Sequence, residues 1–354
     1  MRVLQRAAPR LRVASPRALT STHTNLAAMA SASLPLQSRS GDAPEAPLRL
    51  LCRRGDVVVL DKPANMLIHP PPAGSAALPA AATHGARYAL HECASALGVA
   101  ARDVHFVSRL DRATSGVLVA ALSSRATRAL QAAWADGEAV RKEYLVLVAR
   151  HPVQDAWTDE RELTHRVFGG AAKAAPRQRD VVPDADDDEH AEQHVLQHAR
   201  TDFTVLARFP PLHDAAATAE LRPSSNGRLT PSAALSFPTA LLLAAPHTGR
   251  WHQIRRHLSH AGHHVLGDTR HGKLRYNGPA RAAIGLHRLF LHAVSLRVNA
   301  ATLAAACGEE LEAEQVEPMH VVSPLPHELL AAVEHLPGWG EAKVALRARG
   351  LLAH

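Results

Sequence analysis

Short apolar segments are the feature that most limits what this chain can fold into. Five of them have the length and composition of buried β-strands: residues 56–60 (DVVVL), 116–122 (GVLVAAL), 144–149 (YLVLVA), 239–245 (TALLLAA) and 289–298 (LFLHAVSLRV). A membrane-spanning helix needs roughly 18–20 apolar residues, and no segment approaches that length. The sequence therefore predicts a soluble, sheet-based protein with no membrane partner.

Helix signals lie between these segments but follow no regular order. Ser123 is a predicted N-cap for a helix to about Ala135, with Gly137 as its stop. Further helices are predicted over residues 251–261 and 326–336. The order of strands and helices shows neither the βαβ alternation of dinucleotide-binding folds nor an internal repeat. An α+β fold is predicted.

The basic excess of the chain is concentrated at its N-terminus. The formal net charge is +7, but residues 1–41 contain six arginines and no acidic residue, which leaves 34 basic and 33 acidic residues elsewhere. This Arg-, Ala- and Ser-rich composition is typical of an organelle transit peptide, the alternatives being a disordered leader or a start placed upstream of a true start at Met29. Residues 1–45 are predicted to be a basic leader. A mitochondrial or plastid location follows if the leader is real, and a cytoplasmic one otherwise.

Positive charge in the rest of the chain collects in one segment. Residues 247–297 contain nine arginines and lysines, nine histidines and a single acid, Asp268. Residues 180–192, by contrast, carry seven acids and neither Lys nor Arg. We expect exposed, low-complexity insertions at 169–194 and 211–236. The basic segment indicates an anion-binding face, with a solvated basic surface as the alternative.

A carboxylate between two arginines occurs in residues 108–120 (SRLDRATSGVLVA). Asp111 lies between Arg109 and Arg112, in a turn-forming stretch that leads into a predicted strand. Nearby positive charge favours the ionised carboxylate, which suits a nucleophile or a general base better than a general acid. A surface aspartate that caps a turn is the alternative.

A second motif, HTGRWHQIRRHLSHAGHHVLGDTRHGK, spans residues 247–273. In its predicted helix Ile254 lies on the apolar face, and Arg255 shares an adjacent stripe with Trp251. We expect the Thr-Gly pair at 248–249 to start the helix after a strand. Free backbone N–H groups and arginines would then share one end, an arrangement that binds phosphate. An amphipathic helix with a solvated basic face is the alternative.

The histidines of this motif raise the question of a metal site. Five of them are close together: His252, His257, His260, His263 and His264. The sequence has no HExxH motif, and its cysteines, Cys52, Cys93 and Cys307, form no CxxC pair. The GxSxG and GxxxxGK[ST] signatures are also absent from it. No metal or cofactor is expected, and a His-rich metal-binding protein is a competing hypothesis.

Four segments taken in order resemble the RluA-type pseudouridine synthases. They are VVVLDKPANMLIHP (57–70), SRLDRATSGVLVA (108–120), RKEYLVLV (141–148) and the motif at 247–273. The resemblance covers about residues 46–340 and indicates a catalytic domain at 46–345. It implies a mixed, largely antiparallel sheet bisected by an active-site cleft. It also implies an isomerase that converts uridine in RNA to pseudouridine without a cofactor or metal.

The resemblance further implies roles for individual residues. Asp111 would be the nucleophile, and Arg255 would pair with it and position it. Tyr144 would pack on the flipped base and assist loss of the C5 proton, a core tyrosine in a buried strand being the alternative. Ile254 would lie beneath that base, and Arg109 would fill the space that the flipped nucleotide leaves. The remaining predicted substrate-binding residues are Arg112, Arg250, His252 and Gln253.

RNA is the predicted partner, bound mostly through its phosphates. The arginine pair at 255–256 and the sequence at 267–277 resemble the branch of the family that modifies tRNA, so tRNA is favoured and rRNA is the alternative. There is no room before residue 46 for a small S4 RNA-binding domain, so we expect a monomer whose catalytic domain grips the RNA. A catalytically silent RNA chaperone on the same fold is a second competing hypothesis.

Overall fold

A ten-stranded mixed sheet organises the part of the chain that the computed structural model describes. The structure describes residues 46–71, 86–149, 160–169, 195–211, 222–223, 229–230, 235, 237–308 and 316–352. The predicted leader at 1–45 lies outside these residues, as do nearly all of the predicted insertion at 169–194 and most of that at 211–236.

Five of the twelve strands in the described residues fall where the apolar segments predict them. In chain order they are β1 (Arg49–Arg54), β2 (Val57–Lys62), β3 (His105–Phe106), β4 (Ser115–Ala121), β5 (Val140–Ala149), β6 (Glu160–Gly169), β7 (Val195–Phe209), β8 (Arg222–Pro223), β9 (Leu229–Thr230), β10 (Thr239–Pro246), β11 (Leu291–Val298) and β12 (Met319–Val322). All five predicted strands are confirmed, as β2, β4, β5, β10 and β11. The short strands β8 and β9 pair with each other inside the stretch 211–236, which was predicted to be loop or disorder.

Seven α-helices lie in the described residues. They are α1 (Ala89–Leu97), α2 (Ser124–Asp136), α3 (Gln253–His260), α4 (Leu274–Ile284), α5 (Ala300–Cys307), α6 (His327–Glu334) and α7 (Trp339–Ala348). The start and stop predicted for α2 are confirmed: the Ser123 side chain accepts a hydrogen bond from the Ala126 N–H, and Gly137 ends the helix in the left-handed conformation.

The sheet is largely antiparallel, as predicted. Its main path runs β1-β2-β4-β11-β5-β10-β7-β6, with β12 beside β11 and β3 beside β4. Among the described pairings only β4 and β11 run parallel, through Ser115 and Gly116 against His292 and Ala293. Gly116 has φ +111°, and a Cβ there would collide with the Ala293 carbonyl group. A glycine is therefore required where β4 begins.

Both faces of the sheet are covered, which explains why its central strands are uninterrupted apolar runs. Side chains alternate across a strand, and in β5 Leu145 and Leu147 join one apolar cluster while Val146 and Val148 join another on the opposite face. Helices α4, α6 and α7 cover the first face, and α3 packs on the second. A further cluster joins β2 and β4 to α1, α2 and α5.

The helix predicted over 251–261 is shorter than expected. It begins at Gln253, because His252 adopts the left-handed conformation with φ +50°. The prediction that the pair at 248–249 starts the helix is therefore wrong. The stop is as predicted: Gly262 has φ +81°, and its N–H donates to the Ser259 carbonyl at 3.1 Å.

A buried histidine joins β4, β11 and the chain after β12. Arg288 donates to Ser115 Oγ at 2.7 Å, and Ser115 Oγ lies 2.9 Å from His292 Nδ1. His292 Nε2 lies 3.2 Å from the Ser323 carbonyl oxygen. Since that oxygen only accepts, the proton sits on Nε2, and Ser115 donates to Nδ1. Burial lowers the pKa of His292 to about 3, with the charge of Arg288 acting in the same direction.

We expect this histidine to make the protein less stable in mild acid. In the unfolded chain His292 binds a proton near pH 6.5, whereas in the folded chain it stays neutral at that pH. The free energy of unfolding therefore has its full value, as far as His292 is concerned, above that pH. It falls as the pH drops toward 3, by up to about 1.4 kcal/mol per pH unit. Urea unfolding between pH 4.5 and 7.5 measures this slope. His292→Asn should flatten it, whereas His335→Asn at an exposed position should not, and equal slopes in all three proteins would contradict the prediction.

Candidate active site

A cleft of about 440 Å³ lies over the middle of the sheet, where β11 and β5 adjoin. This volume is in the usual range for a small-molecule site. Its lining includes every site residue that the sequence predicts: Arg109, Asp111, Arg112, Tyr144, Arg250, His252, Gln253, Ile254 and Arg255. Residues more than 140 positions apart thus meet at one surface.

Asp111 is held by a loop, residues 109–114, that lies between β3 and β4. The Thr114 N–H donates to the Asp111 carbonyl at 3.0 Å and closes a turn. The Arg112 carbonyl accepts from the Asn65 N–H at 2.7 Å and from Lys62 Nζ at 3.2 Å. Lys62 is fully buried and also donates to the carbonyls of Pro63 and Met66. A buried ammonium therefore anchors this loop to the end of β2.

Arg255 bridges two carboxylates. Its Nη1 lies 2.9 Å from Asp111 Oδ2, while its Nε and Nη2 bind the two oxygens of Asp268 at 2.8 and 2.9 Å. Burial alone would lower the pKa of Arg255, but the hydrogen bonds and charges of Asp268 and Asp111 outweigh burial and raise it above its usual value. The guanidinium is therefore a fixed cation beside the Asp111 carboxylate.

Asp268 is a part of the site that sequence reasoning missed. Its side chain is 1% exposed. Burial alone would raise its pKa, but Arg255 lowers it to about 2, so the carboxylate stays ionised. Its Oδ1 also accepts from the N–H groups of Arg270 and His271, both at 2.9 Å. The signal for its role was its position as the single acid of the basic segment 247–297.

Tyr144 projects from β5 beside Asp111 in the lining of the cleft. Burial raises the pKa of its hydroxyl above the usual 10, and the negative charge of Asp111 adds to this. The hydroxyl is therefore un-ionised at neutral pH. Lys142, two residues earlier on the same face of the strand, also lines the cleft and lies 5.8 Å from the Trp134 ring. Burial lowers its pKa to about 8.

The Gln253 side chain makes four hydrogen bonds within the protein, and its predicted role in substrate binding stays a prediction. Its Nε2 donates to the Arg200 carbonyl and to Thr201 Oγ1, both at 2.9 Å. Its Oε1 accepts from the Arg250 N–H at 3.0 Å and from Thr248 Oγ1 at 2.7 Å. Because all four contacts lie within the protein, this amide ties the turn before α3 to β7.

The other predicted residues divide between the floor and the rim of the cleft. Ile254, on α3, is 6% exposed and belongs to the apolar cluster that α3 forms with β10 in the floor. Arg109 and Arg250 are exposed at the rim, and Arg112 is half-buried. Ionised rim arginines above an apolar floor suit a ligand with a phosphate and a flat base.

Neither a metal centre nor a membrane span is found in the described residues. No group of three or more His, Cys, Asp or Glu side chains in this part of the chain is placed to hold a metal ion. The described helices are too short or too polar to cross a bilayer.

The model of the family "RNA pseudouridylate synthase" matches residues 56–260, more than half of the chain. The chain belongs to this family. The matched region contains both Asp111 and Arg255, and the family that the motifs predict is confirmed.

Individual relatives extend the match. A tRNA pseudouridine synthase C of Pectobacterium carotovorum is 34% identical over 55% of this chain, although the match spans only 43% of that protein. A tRNA pseudouridine synthase C of Pasteurella multocida is 30% identical over 70% of this chain and 84% of its own length. A ribosomal large subunit pseudouridine synthase C of Vibrio vulnificus is 28% identical over 72% of this chain and 64% of its own length.

A solved structure shares the fold of this pseudouridylate synthase family member. Human RNA pseudouridylate synthase domain containing 1 superimposes with a TM-score of 0.51 and 20% sequence identity, over 87% of this chain and 98% of that chain. At this identity the likeness concerns the fold alone.

Proposed function

We propose that this protein isomerises uridine to pseudouridine in tRNA, with Asp111 as the catalytic nucleophile. The observation that carries the proposal is the contact of 2.9 Å between Asp111 and Arg255 at the wall of the cleft. A carboxylate that must attack has to be ionised and fixed in direction. Arg255 fixes the direction of the Asp111 carboxylate, since it is itself buried and held by Asp268.

The reaction needs no atom from outside except protons. The N1–C1′ bond of the uridine breaks, a C5–C1′ bond forms, C5 loses a proton and N1 gains one, with no oxidation or reduction. A carboxylate can begin this by attacking C1′, by attacking the base or by removing a sugar proton, and all three routes need the ionised Asp111. The base must leave its stack to reach the cleft, which costs a few kcal/mol in a duplex and less in a loop.

Tyr144 is the candidate group for the proton at C5. With a raised pKa its hydroxyl is a hydrogen-bond donor at neutral pH, so it cannot act as a pre-formed anionic base. We expect Tyr144→Phe to lower the rate of tritium release from C5-labelled uridine by about 10²-fold, the lower range for a positioned proton-transfer group. RNA affinity should stay unchanged, because the ring remains. Equal rates of tritium release in Tyr144→Phe and in the wild-type protein would show that the aromatic ring suffices and that the hydroxyl takes no part in proton transfer.

The choice of tRNA over rRNA rests on the relatives named tRNA pseudouridine synthase C, although a relative named for the large ribosomal subunit also matches. Unmodified transcripts of tRNA and of large-subunit rRNA, each labelled at C5 of uridine, separate the two substrates. Tritium release from tRNA alone is the expected result. Release from rRNA alone would overturn the choice of substrate. Binding without release from either RNA would favour the non-catalytic RNA-binding alternative.

A further inference from the structure

A column of stacked planar groups leads outward from Asp111. His252 Nε2 lies 3.7 Å from Asp111 Oδ2. The Trp251 indole stacks on the His252 ring, with ring centroids 4.0 Å apart and planes 16° from parallel. The Arg270 guanidinium lies 4.5 Å from the centre of the Trp251 ring, and that of Arg256 lies 5.9 Å away. The column therefore runs from the half-buried Asp111 carboxylate to the exposed Arg270 guanidinium.

The backbone fixes both ends of this column. His252 adopts φ +50°, a conformation that non-glycine residues rarely take and that costs of order 1 kcal/mol or more. Its Nδ1 lies 2.8 Å from His271 Nε2. At the outer end, the Arg270 N–H donates to Asp268 Oδ1 at 2.9 Å. Asp268 thus holds both the arginine that contacts Asp111 and the loop that carries Arg270.

Half-buried Trp251 lines the same cleft as Asp111. Unpaired RNA bases stack on aromatic rings and on guanidinium planes, while arginine also contacts phosphate. Trp251 and exposed Arg270 offer these two chemistries next to one another. A nucleotide joined to a uridine in the cleft can reach this column, because Trp251 is part of the cleft lining.

We propose that Trp251 and Arg270 form a binding subsite for an unpaired nucleotide next to the target uridine, with its base stacked on the outer face of the Arg270 guanidinium, which Trp251 supports from beneath, and its phosphate at the edge of that guanidinium. The subsite rests on the proposed function, since it presumes a uridine at Asp111. Because the subsite takes an unpaired nucleotide, the enzyme requires single-stranded RNA on one side of that uridine.

The probe is a fluorescein-labelled, nine-nucleotide single-stranded RNA with one central uridine, titrated into the full chain carrying Asp111→Asn so that turnover is blocked. Trp251→Leu should raise the Kd at least about tenfold, and Trp251→Phe no more than about threefold, because phenylalanine keeps an aromatic face. Arg270→Ala should weaken binding similarly and reduce the salt slope by about one. Arg270→Lys should keep the salt slope but lose affinity, because lysine has no planar group.

The matched control is Arg347→Ala, which removes an exposed positive charge on α7 outside the cleft lining. Its Kd should stay within about twofold of the parent, since the charge lies outside the proposed contact. The parent protein should bind an RNA with an abasic residue on one side of the uridine more weakly than the intact RNA. The Trp251→Leu protein should bind the abasic and the intact RNA with the same Kd. Unchanged binding by Trp251→Leu and Arg270→Ala, or no binding of this RNA by any protein, would overturn the subsite.

The outcome is separable from that of the proposed function. If the wild-type protein releases tritium but the Kd for RNA does not depend on Trp251, the proposed subsite is wrong and the proposed isomerase activity stands. If RNA binding depends on Trp251 but no RNA releases tritium, the proposed isomerase activity is wrong and the RNA-binding role of Trp251 stands. A loss of thermal stability in Trp251→Leu without any change in Kd would show an internal packing contact and also overturn the subsite.

Discussion

Asp111→Asn should abolish pseudouridine formation, with kcat falling by at least about 10⁴-fold, the order found when a catalytic nucleophile is removed. The substitution keeps the size of the side chain and removes its negative charge. The fold should survive, because Arg255 keeps its two hydrogen bonds to Asp268. RNA affinity should be retained or slightly increased, since one negative charge leaves the cleft. Tritium release and filter binding measure the two quantities.

Asp103→Asn is the matched control for this variant. It makes the same chemical change at a half-exposed carboxylate outside the cleft lining, where the contact with Arg102 spans 3.9 Å. Its kcat should equal that of the wild-type protein. Isomerisation at a substantial rate by a sequence-verified Asp111→Asn protein would remove Asp111 from the mechanism.

Asp268→Asn is expected to have the second largest effect, and it should lower both stability and turnover. Asparagine can accept only one of the two hydrogen bonds that Arg255 donates to Asp268, and losing a hydrogen bond to a charged group costs about 1.5–3 kcal/mol. The Arg255 side chain is 3% exposed, so solvent replaces little of the lost bond, and Asp111 remains its charged partner. Its guanidinium should then turn toward Asp111 or away from it, so that the nucleophile loses its fixed direction. We expect kcat to fall by about 10²-fold, the effect of a small misplacement of a reacting group.

The stability loss has to be separated from the effect on catalysis. Turnover is measured at a temperature where circular dichroism shows both proteins fully folded, and the pH dependence of kcat is recorded alongside. Asp61→Asn, a change at another buried carboxylate outside the cleft lining, should lower the melting temperature but not kcat. If the activity of Asp268→Asn fell only in proportion to its unfolded fraction, Asp268 would be a structural residue alone.

Local chemistry made much of this protein predictable. Strand β5 was readable because a strand buried on both faces is apolar at every position. The position of α2 could be predicted because Ser123 is a strong start signal for a helix and Gly137 a strong stop signal. Asp111 and Arg255 were readable together because two long motifs kept their order along the chain, and the structure places their side chains in contact.

The errors share one cause, which is that a side chain's partner depends on the tertiary fold. The start of α3 was misplaced because nothing in the sequence shows that His252 has a positive φ. Asp268 was overlooked because only folding brings it against Arg255, thirteen residues earlier.

The trio of Asp111, Arg255 and Asp268 has two negative charges and one positive charge, so the wall of the cleft at Asp111 has a net negative charge, while arginines stand at the rim. A nucleotide has an uncharged base at one end and an anionic phosphate at the other. The phosphate is repelled from the wall at Asp111 and attracted at the rim, so the base is the end that enters. Electrostatic forces therefore orient the nucleotide with its base toward the cleft before the base makes any contact with the protein.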